Sequence, residues 1–451
     1  MIAVAWATPD ALARWSSPRV VHGATPPSAA VSPASAFSTD EHGDSALAWR
    51  VLRQAGRAPN WSYDSSVRVA FAGPKGTVTA HTVWRRAHSL IASVTTALDA
   101  RGELTIAWVE APSSGKGAIT IRSMRRAPKG GWSAAEVVGH SSSAFVYAWP
   151  QLAAAPDGEV LLTWYAGSRI GVEAAWRRPG SGFTGVSVVN RSRDAAVLFP
   201  TPIFDPSGSA RIYGTVDCDH PSSRGVLLTA PAHSHHFAPP AVVAPAPATD
   251  LTISFGHHGR ALAAWQRGEC STLEQAPGEA YGRTLQGGSL GPPTALDPNA
   301  WAFAVTPVAA DGGGGTVGWV GEALTPGAAP TLELTSAGAD GRFSPAAPPG
   351  NSLIPVGRDD AGDVVLQDLL LEQQMLEGSA APVAGGPSSP IAAQALGALV
   401  PQPSPLSPFG GTPLTRSLSG TITVLAASGR GAAVVWANEA TSQVAIAAWR
   451  P

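Results

Sequence analysis

Residues 99–108 read DARGELTIAW, a polar turn that ends in glycine, followed by a short run that ends in tryptophan. Leu104, Ile106 and Trp108 stand at every second position of that run. Because successive side chains of a β-strand point to opposite faces of the sheet, this alternation predicts a strand with one apolar face. The glycine at position 102 suits the tight turn that starts the strand.

The same arrangement recurs along the chain, and internal repeats of 20 to 50 residues or more decide a fold. Five clear copies end in Trp49, Trp108, Trp164, Trp265 and Trp319, each six residues after a glycine. Degenerate copies end at Gly214, Asp368 and Trp436. Equivalent positions therefore fall at residues 43, 102, 158, 208, 259, 313, 362 and 430, which are 49 to 68 residues apart. We number these eight repeats as units one to eight.

Each unit has room for four short strands. In unit three we predict strands over residues 150–155, 159–165, 171–177 and 185–189, separated by turns rich in Gly, Pro and Ser. A repeat of about 50 residues with four strands has the size of one propeller blade. The sequence thus predicts an all-β chain that forms a single β-propeller of four-stranded blades. Eight blades are preferred, and seven remain possible because unit seven is the weakest copy.

The two ends of the chain complement each other. Residues 15–21 match the fourth strands of other units, and the chain ends just after a third strand at residues 444–449. We expect Val20 and its neighbours to pair beside that strand, so that residues 1–21 complete the last blade and the sheet has no open edge there. Residues 2–6 are then a surplus third strand. The propeller would span residues 1–451, with a Pro/Gly-rich irregular insertion at residues 377–420.

Composition excludes several classes of function. The 30 basic and 32 acidic residues give a net charge of -2, so no overall field attracts nucleic acid. No apolar run is long enough to span a membrane, and no signal peptide is visible at the start of the chain. We expect a monomer in an extracellular or cell-envelope location, with a cytoplasmic location as the alternative.

The repeated turn, with a tryptophan ending the next strand, resembles bacterial propeller repeats of the sialidase, or bacterial-neuraminidase-repeat, superfamily. The resemblance covers nearly the whole chain and is one of architecture. In the sialidase Asp-box the tryptophan follows its glycine by three residues, and the turn joins strands three and four. Here the spacing is six, and the turn joins strands one and two.

In propellers, ligands meet the face formed by the loops from strand two to strand three and from strand four to the next unit; we name it the channel-mouth face. By that analogy the candidate contacts lie in these loops. Aromatic rings that precede first strands, with polar neighbours, suit a sugar or a peptide side chain. The candidate ligand-binding residues are Tyr147, Trp149, Phe199, Trp301, Arg169, Arg191, Arg193, Asp219 and Glu322. These rings could instead plug the channel or pack between blades.

Acidic residues follow several of the repeated tryptophans, Glu110 and Glu269 among them. A pair of carboxylates at suitable separation can hydrolyse a glycoside, although loop acids are most often simply solvated. A sialidase-type enzyme would, by resemblance, also need a tyrosine nucleophile and an arginine triad. Tyr165 is the candidate nucleophile, and Arg169 lies close to it in sequence, but the Arg-Ile-Pro motif of the family is absent.

Cys218 and Cys270 occupy equivalent loops of neighbouring units. They could form a disulfide, which would imply an oxidising compartment, or remain free thiols. The histidines of residues 233–236 have no ligand partners at structural-site spacing, so we expect solvated side chains and no metal. No phosphate-binding glycine loop is present, and we expect no cofactor.

These observations favour a non-catalytic recognition or scaffold module that binds a glycan or protein ligand at the channel-mouth face. The alternative is a sialidase-like glycoside hydrolase that uses the loop carboxylates Glu110 and Glu269. The repeated tryptophans themselves are expected to be core residues that seal one blade against the next.

Overall fold

The computed structural model describes residues 14–15, 19–22, 29–39, 45–55, 62–72, 78–113, 119–128, 130–142, 148, 150–167, 171–190, 197–217, 221–256, 259–268, 278–286, 288–309, 314–323, 331–338, 340–345, 353–358, 364–368, 421–428, 431–438 and 443–450. Within these ranges the chain forms β-strands and no helix. In particular, the described residues include no helix long and apolar enough to cross a membrane. The predicted insertion at residues 377–420 lies outside them.

The strands of the first half of the chain are β1 (Arg14–Trp15), β2 (Arg19–His22), β3 (Ala29–Thr39), β4 (Ser45–Ala55), β5 (Ser62–Ala72), β6 (Val78–Arg86), β7 (Ser89–Leu98), β8 (Leu104–Pro112), β9 (Ile119–Arg126), β10 (Glu136–Ser141), β11 (Gln151–Ala154), β12 (Val160–Gly167), β13 (Gly171–Arg177), β14 (Phe183–Asn190), β15 (Leu198–Phe204), β16 (Ala210–Val216) and β17 (Arg224–Ala230). Those of the second half are β18 (Ala241–Ala244), β19 (Thr249–Phe255), β20 (Ala261–Arg267), β21 (Gly278–Gln286), β22 (Ser289–Leu290), β23 (Thr294–Ala309), β24 (Gly315–Ala323), β25 (Thr331–Ala337), β26 (Leu353–Arg358), β27 (Val364–Asp368), β28 (Thr421–Ser428), β29 (Gly431–Asn438) and β30 (Gln443–Arg450).

Four of the sheets are antiparallel and contain four consecutive strands. Sheet 1 comprises β3–β6, sheet 2 β7–β10, sheet 3 β11–β14 and sheet 4 β15–β18. The four strands predicted for unit three are all present in sheet 3, within two residues of their predicted ends. The alternation of apolar residues therefore located the strands correctly in this unit.

Units five and six differ from the expected separate blades. The 16-residue strand β23 pairs with β21 through its first part and with β24 through its second part. Strands β19 to β25 consequently belong to one seven-stranded sheet, sheet 5, in which a single strand serves two units. The sequence did not predict this shared strand, because Asp297-Pro298-Asn299 has the composition of a turn between two separate strands.

The end of the chain pairs with its beginning. β28, β29 and β30 form sheet 7 together with β1 and β2, both of which pair with β30. Val20 lies opposite Ala445, which is the pairing expected from the sequence. The two strands β26 and β27 form sheet 6.

Successive sheets contact one another. Strand β7 of sheet 2 packs on β3, β4 and β5, and β11 and β12 of sheet 3 both contact β15 of sheet 4. β26 contacts β23 and β28, and β28 in turn contacts β3 of sheet 1. Between sheets 1 and 2, the guanidinium of Arg50 donates to the carbonyl oxygens of Ile91 and Ala92, at 2.8 and 2.7 Å.

The repeated turn has the same geometry in sheets 2 to 5. The glycine amide donates to the carbonyl three residues earlier, and the glycine has a positive φ, between 71° and 87°, in Gly102, Gly158, Gly208 and Gly259. An L-residue rarely adopts this conformation, which explains why glycine stands at this point of each repeat.

The five tryptophans that end the clear copies are core residues, as expected. Their exposed fraction is at most 1% in Trp49, Trp108, Trp164, Trp265 and Trp319. Trp108 lies in a cluster that includes Ala46 and Val67 of sheet 1, and Trp265 in one that includes Val243 of sheet 4. Trp108 and Trp265 thus each pack against the preceding sheet and exclude water from the contact.

Candidate functional site

The strands of each four-stranded sheet begin and end at two opposite sides of the sheet; we use the word edge for such a side and not for an outermost strand. The repeated glycine turns lie at one of them, which we call the turn edge. Second strands end, and third strands begin, at the opposite edge, which we call the mouth edge because its loops are those of the predicted channel-mouth face. Glu110 near the end of β8 and Tyr165 near the end of β12 both lie at the mouth edge.

Only some of the predicted site residues can be placed. Glu110 and Tyr165 are described in full, whereas Phe199, Trp301 and Glu322 are described only as backbone positions of β15, β23 and β24. The remaining candidates lie outside the described residues: Tyr147, Trp149, Arg169, Arg191, Arg193, Asp219, Glu269, Cys218 and Cys270.

Glu110 is not the loop residue that the sequence suggested but belongs to strand β8. Arg86, at the end of β6, donates from Nη1 to Oε1 of Glu110 at 2.7 Å. Arg122 of β9 brings its Nε within 2.7 Å of the other oxygen, Oε2. The Glu110 side chain is 5% exposed, and that of Arg86 is 52% exposed. This ion pair joins sheet 1 to sheet 2 and covers the carboxylate.

Aromatic rings line the same contact. The guanidinium of Arg122 lies over the ring of Trp84, 5.3 Å from its centroid, which is a cation–π distance. Trp84 in turn lies 5.7 Å from the ring of Trp108. Arg122 is therefore held from two sides, by a carboxylate and by an indole.

The arrangement limits what Glu110 can do chemically. A glycosidase needs a carboxyl oxygen that reaches the glycosidic oxygen or the anomeric carbon of its substrate. Both oxygens of Glu110 instead face arginine nitrogens, so the carboxylate serves to position Arg86 and Arg122. Of this group, the half-exposed Arg86 is the side chain that solvent and a ligand can reach.

The environment of Tyr165 disfavours ionisation of its phenol. The residue is buried, and burial raises the pKa of its phenol above the ordinary value. A tyrosine nucleophile must lose its proton, which a raised pKa opposes. Its carbonyl oxygen accepts a hydrogen bond from Oγ of Ser141 at 3.0 Å, which anchors the end of β12 to β10 of sheet 2.

The short connection from β6 to β7 brings His88 to the mouth edge, and sequence reasoning missed it. His88 has a φ of 51°, its backbone amide donates to Oδ1 of Asp64 at 3.1 Å, and its Nδ1 lies 3.0 Å from Oγ of Ser62. These contacts hold the imidazole of His88 in place, and His88 follows Arg86 by two residues in the sequence. Its position in the two-residue connection between β6 and β7 is known only from the structure, and no sequence motif surrounds it.

Two aspartates with positive φ lie at the same edge in sheets 4 and 5. Asp217 follows β16, with a φ of 57°, and its Oδ2 lies 3.8 Å from Nη2 of Arg224. Asp250 in β19 has a φ of 51°, and burial raises the pKa of its carboxyl group, although a hydrogen bond with Thr249 acts in the opposite direction. Non-glycine residues in this conformation are uncommon and concentrate at functional sites.

The histidines of residues 233–236 are not simply solvated. They lie at the turn edge between β17 and β18, where Nε2 of His235 is 3.2 Å from Oε1 of Glu159 in sheet 3. His233, whose side chain is 75% exposed, and His236, which is also exposed, match the expectation. Within the described ranges, no three His, Cys, Asp or Glu side chains form a group that could hold a metal ion.

Comparison with known proteins found no matching family model and no matching curated protein. Solved structures do match. The BP39L lectin from Burkholderia pseudomallei is 10% identical with a TM-score of 0.49, and the match covers 96% of this chain and 99% of the lectin. The α-L-arabinanase of Penicillium chrysogenum, complexed with arabinobiose, is 12% identical with a TM-score of 0.40, over 97% of this chain and 98% of the arabinanase.

A third match is the β-propeller domain of the Trilobed protease from Pyrococcus furiosus. It is 9% identical, with a TM-score of 0.40, and the match covers 79% of this chain and 89% of that domain. Likeness of this degree assigns no activity to the chain.

Proposed function

We propose that the chain is a closed β-propeller of eight blades whose N-terminal strands complete the last blade. The proposal is supported by the order of contacts, in which each sheet touches the next and β28 of sheet 7 touches β3 of sheet 1. It is also supported by the pairing of β1 and β2 with β30. In such a ring the mouth edges of the sheets face the same side.

We further propose that this side binds a glycan or protein ligand without catalysis. The carrying observation is that both carboxylate oxygens of Glu110 lie 2.7 Å from arginine nitrogens, those of Arg86 in the neighbouring sheet and of Arg122 in the same sheet. A group so placed supports the scaffold rather than the cleavage of a bond. The raised pKa of Tyr165 argues in the same direction.

The ligand would meet the predicted aromatic and arginine contacts of the mouth edge, among them Trp149 and Trp301, the latter a position of strand β23. An aromatic ring covers the apolar face of a sugar or a peptide side chain, and neighbouring polar groups fix its orientation. We also propose that the chain acts outside the cytoplasm or in the cell envelope, since a disulfide between Cys218 and Cys270 would need an oxidising compartment.

The test uses the purified full chain on a glycan array, on a panel of extracellular proteins and on a set of chromogenic glycosides. We expect a ligand to be bound and no glycoside to be turned over. The variants Trp149→Ala and Trp301→Ala should each weaken binding by at least about tenfold, which corresponds to ~1.4 kcal/mol. His233→Ala, at the opposite edge of its sheet, is the matched control and should bind as the parent does.

Turnover of any glycoside that is abolished by Glu110→Gln or Glu269→Gln would overturn the proposal in favour of a glycoside hydrolase. Equal loss of binding in His233→Ala would show that the effect of the tryptophan variants is not local.

A further inference from the structure

Gln266, the residue before the last of β20, is a fully buried polar side chain, with an exposed fraction of 0%. Within the described residues, neither its amide nitrogen Nε2 nor its amide oxygen Oε1 has a hydrogen-bond partner, and no other side chain there has two buried polar atoms in this state. Buried polar groups in native proteins are nearly always hydrogen-bonded to protein or to ordered water, because an unpaired group retains its full cost of desolvation. The amide of Gln266 therefore indicates a partner from outside the chain.

The same position of the repeat, directly after the repeated tryptophan, is occupied differently in two other contacts between units. Arg50 of unit one donates to two carbonyl oxygens of β7 in the next sheet, at 2.8 and 2.7 Å. Val109 of unit two has no polar side-chain atom and lies in an apolar cluster with residues of sheet 3. The first contact is thus bridged directly and the second is dry, whereas the contact at Gln266 is neither.

The side chain of Gln266 faces unit six. Residues two apart on a strand share a face of the sheet, and so do residues directly opposite each other on neighbouring strands. Gln266 therefore shares a face with Ala264 and with Ala280, its partner in β21. Both alanines lie in the buried cluster that contains Trp319 of β24. The amide consequently lies in the contact between units five and six.

Trp319 brings a second polar group into this contact. Its ring is 0% exposed, and in the part of the chain that the structure describes its indole Nε1 also has no hydrogen-bond partner. The equivalent ring of Trp164 differs, because its Nε1 donates to the carbonyl oxygen of His140 at 3.4 Å. The contact between units five and six thus contains two unpaired donors, Nε2 of Gln266 and Nε1 of Trp319, and one unpaired acceptor, Oε1 of Gln266.

Two hydroxyl side chains on the same face have partners of their own. Thr249 stands opposite Gln266 in β19 and hydrogen-bonds with the carboxyl group of Asp250. Oγ of Ser254 accepts from the backbone amide of Ala309 at 3.1 Å. Neither hydroxyl therefore pairs with the amide of Gln266.

From this arrangement we propose that ordered water is enclosed between units five and six, where it hydrogen-bonds to the amide of Gln266 and to the indole nitrogen of Trp319. Water matches these groups, since its oxygen accepts from the two N–H donors and its protons satisfy the amide oxygen. Buried water molecules typically make about three such bonds. An ion fits less well, because neither side chain carries a charge that would compensate it.

The water takes the place of the direct bridge that Arg50 forms between sheets 1 and 2. It ties together the two units that share strand β23. The proposal does not depend on what the mouth edge binds.

A crystal structure of the full chain, at a resolution that shows ordered solvent, tests the proposal directly. We expect an oxygen peak at about 2.7–3.2 Å from an amide atom of Gln266, joined directly or through a second water to Nε1 of Trp319. A Gln266 amide that is hydrogen-bonded to protein groups alone, or one without a solvent peak that links it to Trp319, would overturn the proposal.

Nuclear Overhauser spectra of the isotope-labelled full chain test it in solution. The indole N–H of Trp319, assigned with Trp319→Phe, should show a cross-peak to long-lived water, whereas that of Trp164, which has a protein acceptor, should show none. Gln266→Leu keeps the approximate size of the side chain without its polar atoms and should abolish the Trp319 cross-peak. Ser254→Ala, which removes a paired hydroxyl from the same face, is the matched control and should retain it.

A water signal at Trp319 that survives in Gln266→Leu, or that is lost equally in Ser254→Ala, would contradict enclosed water at this site. So would an equal signal at Trp164. If Gln266→Leu does not fold, the crystal structure of the parent decides alone, because it shows the solvent peak without any substitution.

Discussion

Arg177, the last residue of β13, donates a hydrogen bond to the carboxylate of Glu103, which stands 74 positions earlier in the chain and in another sheet. The Arg177 side chain is 1% exposed, and that of Glu103 is 9% exposed. Two charges removed from water in this way stabilise the fold only while both are present, since either one alone would be buried without compensation. The contact between sheets 2 and 3 therefore depends on both residues together.

Arg177→Met should lower the free energy of unfolding by about 3–5 kcal/mol, because it leaves the buried Glu103 with only the more exposed Arg125, at 3.5 Å, as a cationic partner. The double variant Arg177→Met/Glu103→Met should recover much of that loss. Urea denaturation followed by tryptophan fluorescence measures both. Arg125→Met, which removes a more exposed partner at 3.5 Å, is the control and should cost less than about 1 kcal/mol. A double variant less stable than Arg177→Met would contradict this account.

Asp99 and Asp205 cap equivalent turns but should respond oppositely to replacement by asparagine. Burial raises the pKa of Asp99, whereas hydrogen bonds from Ser207, Arg211 and Ser209 outweigh burial and lower the pKa of Asp205. Because the pKa of Asp99 is raised in the folded state, ionisation of this residue lowers stability as the pH rises from its unfolded-state pKa through its folded-state pKa. Because the pKa of Asp205 is lowered, its ionised form stabilises the fold above its unfolded-state pKa, and this stabilisation is lost as the pH falls through its folded-state pKa.

At pH 7 we therefore expect Asp99→Asn to leave stability unchanged within about 0.5 kcal/mol or to raise it, since the amide oxygen can still accept from the turn amides. Asp205→Asn should cost about 1–2 kcal/mol through the weakened pair with Arg211. Thermal unfolding of both variants at pH 7 and pH 3 is the measurement, and the cost of Asp205→Asn should shrink at the lower pH. Equal losses at pH 7 would refute the distinction between the two turns.

Trp108→Ala should destabilise the chain by about 3–5 kcal/mol, because the ring is fully buried between sheets 1 and 2 and its removal leaves a large cavity. The loss is measured by urea denaturation. Trp132→Ala serves as the matched control, because that ring is only partly buried against the same cluster, and it should cost clearly less. Similar losses in the two variants would mean that Trp108 has no special part in sealing the sheets.

Cys218 and Cys270 should form a disulfide in protein prepared under oxidising conditions. Their equivalent positions in neighbouring units motivate this expectation, and the bridge would close a loop of about 50 residues, worth ~4 kcal/mol in the chain-entropy account. Thiol titration of the denatured chain with and without reductant measures it. Two reactive thiols before reduction would contradict the bridge, and with it one reason for expecting an oxidising compartment.

Much of the fold was predictable from residues close together in the chain. The strands of unit three and the burial of Trp49, Trp108 and Trp164 follow from alternation and from the glycine turn, which are local properties. The pairing of Val20 with β30 was predicted because the ends of the chain each resemble part of one repeat. The shared strand β23 was not predicted, since its two pairings depend on sheets that the local pattern does not describe.

The candidate site was less predictable. Glu110 was recognised as an acid at the right edge, but its placement in β8 and its two arginine partners were not. Arg86 and Arg122 stand 24 and 12 residues away from Glu110, and no spacing rule links them. His88 escaped notice because a single histidine in a short connection has no motif around it.

The amino-acid sequence by itself determined where strands and turns form, because period-two alternation and a positive-φ glycine act within a few residues. The tertiary structure alone decided which charge each carboxylate meets: two arginines for Glu110, Arg177 for Glu103 and His235 for Glu159. The physical reason is that an ion pair requires separations of a few ångströms, and only the packing of one sheet on the next brings such distant residues that close.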